Sequence, residues 1–161
     1  MLKYLLLFAL LFGAIYLPSE FSRHSKRRLS ECEGFYSLAS HMRDEIGCFL
    51  SATEVWCSVF SNSALEEVGF LAARREHKDL AVAFISSKDK TALSESERDA
   101  VLRFCTSFGK GYADTQIRLI DSFCKSLGEH IDAERERLPR SQRLVRTLSA
   151  SVALALAILI I

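Results

Sequence analysis

Proline is nearly absent from this chain: Pro18 and Pro139 are the two in 161 residues. With so few backbone breaks and no stretch of apolar–polar alternation, a fold of short strands and tight turns is excluded, and long helices are favoured. The seven glycines are too dispersed for a nucleotide-binding fingerprint. Gly109-Lys110-Gly111 sets a lysine between glycines, but the G-x-x-x-x-G-K-[ST] spacing and the preceding strand are missing, so the triplet reads as a turn between helices. His24, His41, His77 and His130 never stand four apart or beside a CxxC, so no tetrahedral metal set is legible. No nucleophile elbow accompanies the serines or cysteines. Asp44–Glu45 and Glu66–Glu67 are sequence neighbours, which diverge on a helix and make poor acid–base pairs. No cofactor or metal is implied. An excess of one charge is missing too, since 21 Lys+Arg face 20 Asp+Glu. That removes the broad positive field of a nucleic-acid binder.

Cysteine is present but not in a framework. Cys32, Cys48, Cys57, Cys105 and Cys124 are odd in number and scattered along apolar helical patterns. They fit small hydrophobes in a reducing compartment better than disulfides.

What the sequence does have is two greasy ends. Tyr4 to Leu17 and Thr147 to Ile161 are uncharged and strongly apolar. Each offers about 15 residues, against about 20 for a full bilayer crossing. A signal-peptide core or a buried helix is the rival for such lengths. No small-x-small site follows Leu17, which favours an uncleaved anchor. A tail apolar on every helical face suits lipid better than one protein groove. Basic residues flank both ends on the inner side: Arg23, Lys26, Arg27 and Arg28 after the first, and Arg135, Arg137, Arg140, Arg143 and Arg146 before the second. The positive-inside rule then places residues 18–146 in the cytoplasm. The division expected is an N-terminal transmembrane anchor over 1–19, a cytoplasmic helical bundle over 20–138 and a C-terminal transmembrane helix over 139–161. Within the tail, Ser149 and Ala153 stand four apart and could form a close-packing face between membrane helices.

The middle reads as helices throughout. Leu29, Phe35, Leu38, Met42, Ile46 and Phe49 mark a first helix reaching toward Phe60, with a break near Ser51 to Thr53. Ser63 to Glu66 and Ser94 to Glu97 fit capping boxes. A short helix is expected over Leu80 to Ile85, with Ser87 to Ala92 as linker. A long helix begins near Asp114, with Ile117, Ile120, Cys124, Leu127 and Ile131 as its apolar stripe and Pro139 at a restart. The fold class is therefore all-α, an antiparallel helical bundle.

With these residues laid out, the chain resembles the stage III sporulation protein AB family of endospore-forming bacteria. Arg28-Leu29 and Glu45-Ile46 sit where that family carries similar pairs on its first long helix. The loop pattern Leu-Gly-x-x-Asp-x-x-x-Gln reads here as Phe108 to Gln116, with Gly109 and Gln116 matching and Tyr112 in place of the Asp. The tail pattern Arg-x-Leu-Gly-x-x-x-Gly reads Arg146 to Ala153, with Arg146 and Leu148 matching and small residues for both glycines. The family's usual Pro after the Glu-Ile pair is absent. The resemblance implies a domain similar to half of the inner-membrane platform component of type II secretion and type IV pilus machines. It implies a seat in the mother-cell membrane around the forespore, in a sporulation-specific secretion-like channel. Implied partners are a cytoplasmic secretion-type ATPase, other channel subunits and membrane lipids, with a possible homo-oligomer. The role expected is a non-enzymatic platform, with Gly109, Gly111 and Gln116 shaping the loop before the last helix. The alternatives are a membrane-tethered redox or hydrolytic enzyme using its cysteines, which needs an exposed thiol of low pKa, and a generic bitopic helical adaptor.

Overall fold

The computed structural model describes the backbone of residues 2–47 and 60–160 and, within these, the side chains of residues 22–46, 60–145, 147–149, 151–152 and 155. Every regular element among them is helical. They are α1 (Leu2–Gly47), α2 (Ser63–Glu67), α3 (Phe70–Glu76), α4 (Leu80–Ser87), a 3-10 turn (Lys88–Lys90), α5 (Glu95–Ser107) and α6 (Ala113–Ile160). The break expected near Ser51 to Thr53 lies outside the described residues, as do Cys48, Phe49 and Cys57. The chain divides into two compact units, Arg27–Asp132 and the paired termini Met1–Lys26 with Ala133–Ile161.

The unit Arg27–Asp132 is held by one apolar core. On α1 the buried positions are Cys32, Phe35, Leu38, Ala39 and Met42, a ridge of three- and four-residue steps. Phe35 is the hub of an aromatic cluster: its ring lies edge-on to Phe70 of α3 at 5.2 Å and to Phe84 of α4 at 5.6 Å. A second cluster joins α5 to α6 through stacked Phe104 and Phe123, 4.3 Å apart. Phe123 replaces Cys124 as the buried member of the α6 stripe, which runs Gln116, Ile120, Phe123, Leu127 and Ile131. Ile117 and Cys124 are half-buried. The larger aromatic ring takes the central position, and the stripe shifts round by one residue.

Helix boundaries follow side-chain caps. Asn62, not Ser63, caps α2; its Oδ1 accepts from the Ala64 and Leu65 backbone N–H groups at 3.1 and 3.2 Å. Gly69, at φ 79, separates α2 from α3 in a left-handed conformation that glycine adopts without strain. Asp79 caps α4 through the Ala81 N–H at 2.7 Å. The Ser94–Glu97 capping box is complete in both directions. Pro139 lies inside α6 rather than at a restart. Its ring nitrogen carries no N–H to donate back along the helix, a loss that typically costs about 3 kcal/mol in a helix interior; Pro139 is exposed.

In the terminal unit, Gln142 Nε2 of α6 donates to Ser22 Oγ of α1 at 2.8 Å, which fixes the register of the two helices. Among the described residues no helix is long and apolar enough to cross a membrane; the side chains of the Tyr4 to Leu17 run lie outside them.

At Gly34, α1 passes close against the start of α2. A Cβ there would sit 2.9 Å from Asn62 Oδ1 and 3.0 Å from Leu65 Cγ. Gly34→Ala should therefore lower stability by about 1 kcal/mol, overpacking and loss of the cap outweighing a helix-propensity gain of about 1 kcal/mol. Asn62→Ala should cost about 1 kcal/mol by itself. Denaturant melts of the double mutant should show less than the sum of the two losses, because both remove the same cap.

Candidate functional site: the polar latch and the glycine loop

Among the described residues, a dense cluster of buried polar groups lies where α1 meets the segment between α4 and α5. Two carboxylates are buried there, Glu31 and Glu97, each with a side chain 1% exposed. A buried carboxylate is tolerable only with charged or hydrogen-bonding partners. Glu97 has the fuller set. Arg28 grips it with two parallel bonds, Nε to Oε2 and an Nη to Oε1, both 2.9 Å, the bidentate geometry that favours arginine over lysine. The Ser94 N–H donates to the same Oε2 at 2.8 Å. Burial raises the Glu97 pKa, but the Arg28 and Ser94 bonds outweigh it and bring the group down to about 2.

Glu31 is held less firmly. Arg27 Nε donates to its Oε1 at 3.0 Å and the Ala92 N–H to its Oε2 at 2.7 Å. Here burial prevails over those bonds, and the pKa lies above the ordinary carboxylate value. The same arginine reaches across to the Lys90 carbonyl at 2.9 Å. Arg98 closes the other side, donating to the Thr91 carbonyl at 2.8 Å and to Thr91 Oγ1 at 3.2 Å. The Ser87 to Ala92 segment, expected as linker, is thus pinned at Lys90, Thr91 and Ala92 to α1 and α5 by side chains that a reading of apolar periodicity does not see. Arg27 and Arg28, taken from sequence as flanking charges for topology, are structural partners in this latch. Arg23, Lys26, Arg140 and Arg143 are exposed. The side chains of Arg146 and Ala153 lie outside the described residues, and Ser149 is half-buried with its hydroxyl bonded to the Val145 carbonyl.

The loop from Phe108 to Tyr112 is organised by Gln116. Its Oε1 accepts from the Gly109 N–H at 3.0 Å and its Nε2 donates to the Lys110 carbonyl at 2.8 Å, so one buried amide spans the turn. Gly109 and Gly111 adopt φ 82 and φ 122, both in the region that favours glycine. Tyr112 is 88% exposed at the tip.

Burial acts against nucleophilic chemistry at the three described thiols, Cys32, Cys105 and Cys124. Burial pushes the Cys105 thiol up to about 12, and raises Cys32 and Cys124 as well. Thiols held protonated are poor nucleophiles. Among the described residues no three His, Cys, Asp or Glu side chains converge as a metal set.

Two outcomes follow from these bonds. The depressed Glu97 pKa means that the folded state binds fewer protons than the unfolded chain between about 4.5 and about 2. Its contribution to stability is therefore full above pH 4.5 and lost as pH falls toward 2. Arg28→Met should destabilise by on the order of 3 kcal/mol at pH 7. It should also flatten the fall in Tm between pH 5 and 2.5, measured by circular dichroism. Separately, Gln116→Leu strands the Gly109 N–H and the Lys110 carbonyl and should cost about 2 kcal/mol. Faster hydrogen exchange at Gly109 would locate that loss in the loop.

No individual curated protein and no solved structure matches this chain. The family comparison is decisive by coverage. The signature of stage III sporulation protein AB matches residues 3–161, so the apolar ends, the latch and the glycine loop all fall within it. The chain belongs to the stage III sporulation protein AB family, and is a helical sporulation protein.

Proposed function

We propose that this sporulation protein is a non-enzymatic assembly platform, fixed by its two ends in the mother-cell membrane around the forespore, with its helical body in the cytoplasm. In this reading the body offers its surface to a secretion-type ATPase and to other subunits of a channel between the two cells. One observation carries the reading. The two buried carboxylates and the buried amide described in the Arg27–Asp132 unit are taken up by the fold itself. Glu31, Glu97 and Gln116 are buried and bonded to neighbouring segments, and the described thiols are raised in pKa by burial. A body stiffened in this way suits a docking block better than a catalyst, whose acids and nucleophiles must reach a substrate.

The exposed features of the same unit are consistent with binding. Tyr112 stands out from a loop stapled by Gln116, and Val82 and Ile85 are exposed on one face of α4. Tyrosine on a rigid mount is a low-entropy contact residue.

The test is direct binding of the full-length protein, in detergent, to a secretion-type ATPase of the same organism. Interferometry should give saturable binding that Tyr112→Ala weakens at least fivefold without changing Tm. Absence of binding by the intact protein, both in detergent and in nanodiscs, refutes the ATPase-docking role.

A further inference from the structure

The exposed face of α6 in the terminal unit changes character along the helix axis rather than around it. Arg137 and Arg140 are exposed, and so is Arg143. One turn on, the same ridge becomes apolar. Leu144 is 62% exposed, Leu148 63% and Val152 56%. Arg140, Leu144, Leu148 and Val152 are four apart and lie along one ridge. The switch from guanidinium to leucine occupies about 6 Å of helix. A surface that meets it must pass from anionic to hydrocarbon over a similar depth.

A second observation concerns the hydroxyls. Ser141 donates to the Leu138 carbonyl at 3.1 Å, Thr147 to the Arg143 carbonyl at 3.0 Å, Ser149 to the Val145 carbonyl, and Ser151 to the Thr147 carbonyl at 2.9 Å. Each hydroxyl proton is satisfied by the helix's own backbone. Water would satisfy these groups anyway, whereas hydrocarbon requires internal partners. The arginines show the opposite pattern. Arg137, Arg140 and Arg143 have no carboxylate partner among the described residues, and Glu136, exposed one turn before Arg140, pairs with none of them. Arg23 and Lys26 of α1 add exposed cations near the Ser22–Gln142 bond.

We propose that Arg137, Arg140 and Arg143 form a binding site for the phosphate headgroups of anionic phospholipids, whose acyl chains lie along Leu144, Leu148 and Val152. This rests on the membrane seat proposed above and specifies the lipid that the seat selects. Guanidinium groups bind phosphate oxygens with paired, charge-assisted bonds, which a zwitterionic headgroup satisfies less well because its own ammonium competes.

The experiment uses the full-length chain reconstituted in phosphatidylcholine vesicles containing trace spin-labelled phosphatidylglycerol or spin-labelled phosphatidylcholine. Electron paramagnetic resonance reads the fraction of each probe immobilised at the protein. Surface basic residues each contribute roughly fivefold to anionic-lipid association. The expected selectivity for phosphatidylglycerol is several-fold or more. It should collapse toward one in R137Q/R140Q/R143Q and survive in R137K/R140K/R143K, with Tm unchanged in both. Equal immobilisation of both probes by the natural chain overturns the headgroup site and leaves the membrane seat standing. Selectivity that persists in the glutamine variant also overturns it. Immobilisation of neither probe overturns the site and the membrane seat together. Selectivity abolished by millimolar inorganic phosphate, but not by chloride at equal ionic strength, assigns the site to free phosphate instead and overturns the lipid proposal.

Discussion

Two carboxylates buried against α1 set the terms for the Arg27–Asp132 unit. An unpaired carboxylate in an apolar core costs several kcal/mol, so wherever Glu31 and Glu97 go, their partners must follow. Glu97 belongs to α5 and its grip by Arg28 of α1 ties two helices 69 residues apart in sequence. Glu31 belongs to α1 and its bond to the Ala92 N–H ties the intervening segment. The aromatic cluster of Phe35, Phe70 and Phe84 provides adhesion between α1, α3 and α4, but adhesion alone tolerates sliding. Directional bonds remove that freedom. The segment from Lys88 to Ser94, which has no long helix of its own, is held in place by polar contacts from α1 and α5.

The two carboxylates do not have equal standing. Both are almost fully buried, yet one has its pKa lowered and the other raised. The difference lies in the number and geometry of donors. Glu97 receives a bidentate guanidinium and the reciprocal bonds of its own capping box, all aligned. Glu31 receives one arginine nitrogen and one backbone N–H, and Arg27 divides its donors between Glu31 and the Lys90 carbonyl. Acidification therefore acts on the two in opposite senses. It weakens the Glu97 contribution and relieves the cost of keeping Glu31 charged.

What the sequence made legible was local. The capping box at Ser94 and Glu97 depends on residues three apart, and it stands where the spacing put it. The helical class follows from the scarcity of proline and the three- and four-residue apolar steps, and Gly109 and Gly111 mark the turn before α6. What was hidden was relational. Nothing near Arg28 reveals that its partner is Glu97, so the basic cluster read as a run of flanking charges, although half of it is internal to the fold. Asn62 displaced Ser63 as the α2 cap because the choice depends on backbone dihedrals and on the nearby glycine at 34, not on the S-x-x-E spacing alone. Phe123 displaced Cys124 in the core because the α5 partner, Phe104, offers a flat ring to stack on.

The arginines carry the last step. Arg27, Arg28, Arg43 and Arg98 lie in one compact unit, and each has a carboxylate or carbonyl of the same unit within hydrogen-bonding distance. Arg137, Arg140 and Arg143 lie in the other, exposed, and the helix turns apolar at Leu144, one turn beyond Arg140. A guanidinium of fixed charge cannot relieve an unfavourable setting by losing its proton. It either finds an anion or faces water. Water explains an exposed arginine on a polar surface. It explains less well three of them immediately before a ridge of exposed leucine and valine whose neighbouring hydroxyls are turned back onto the helix. The sequence places like residues in both units, and only the distribution of their partners separates cations that hold this protein together from cations left for something outside it.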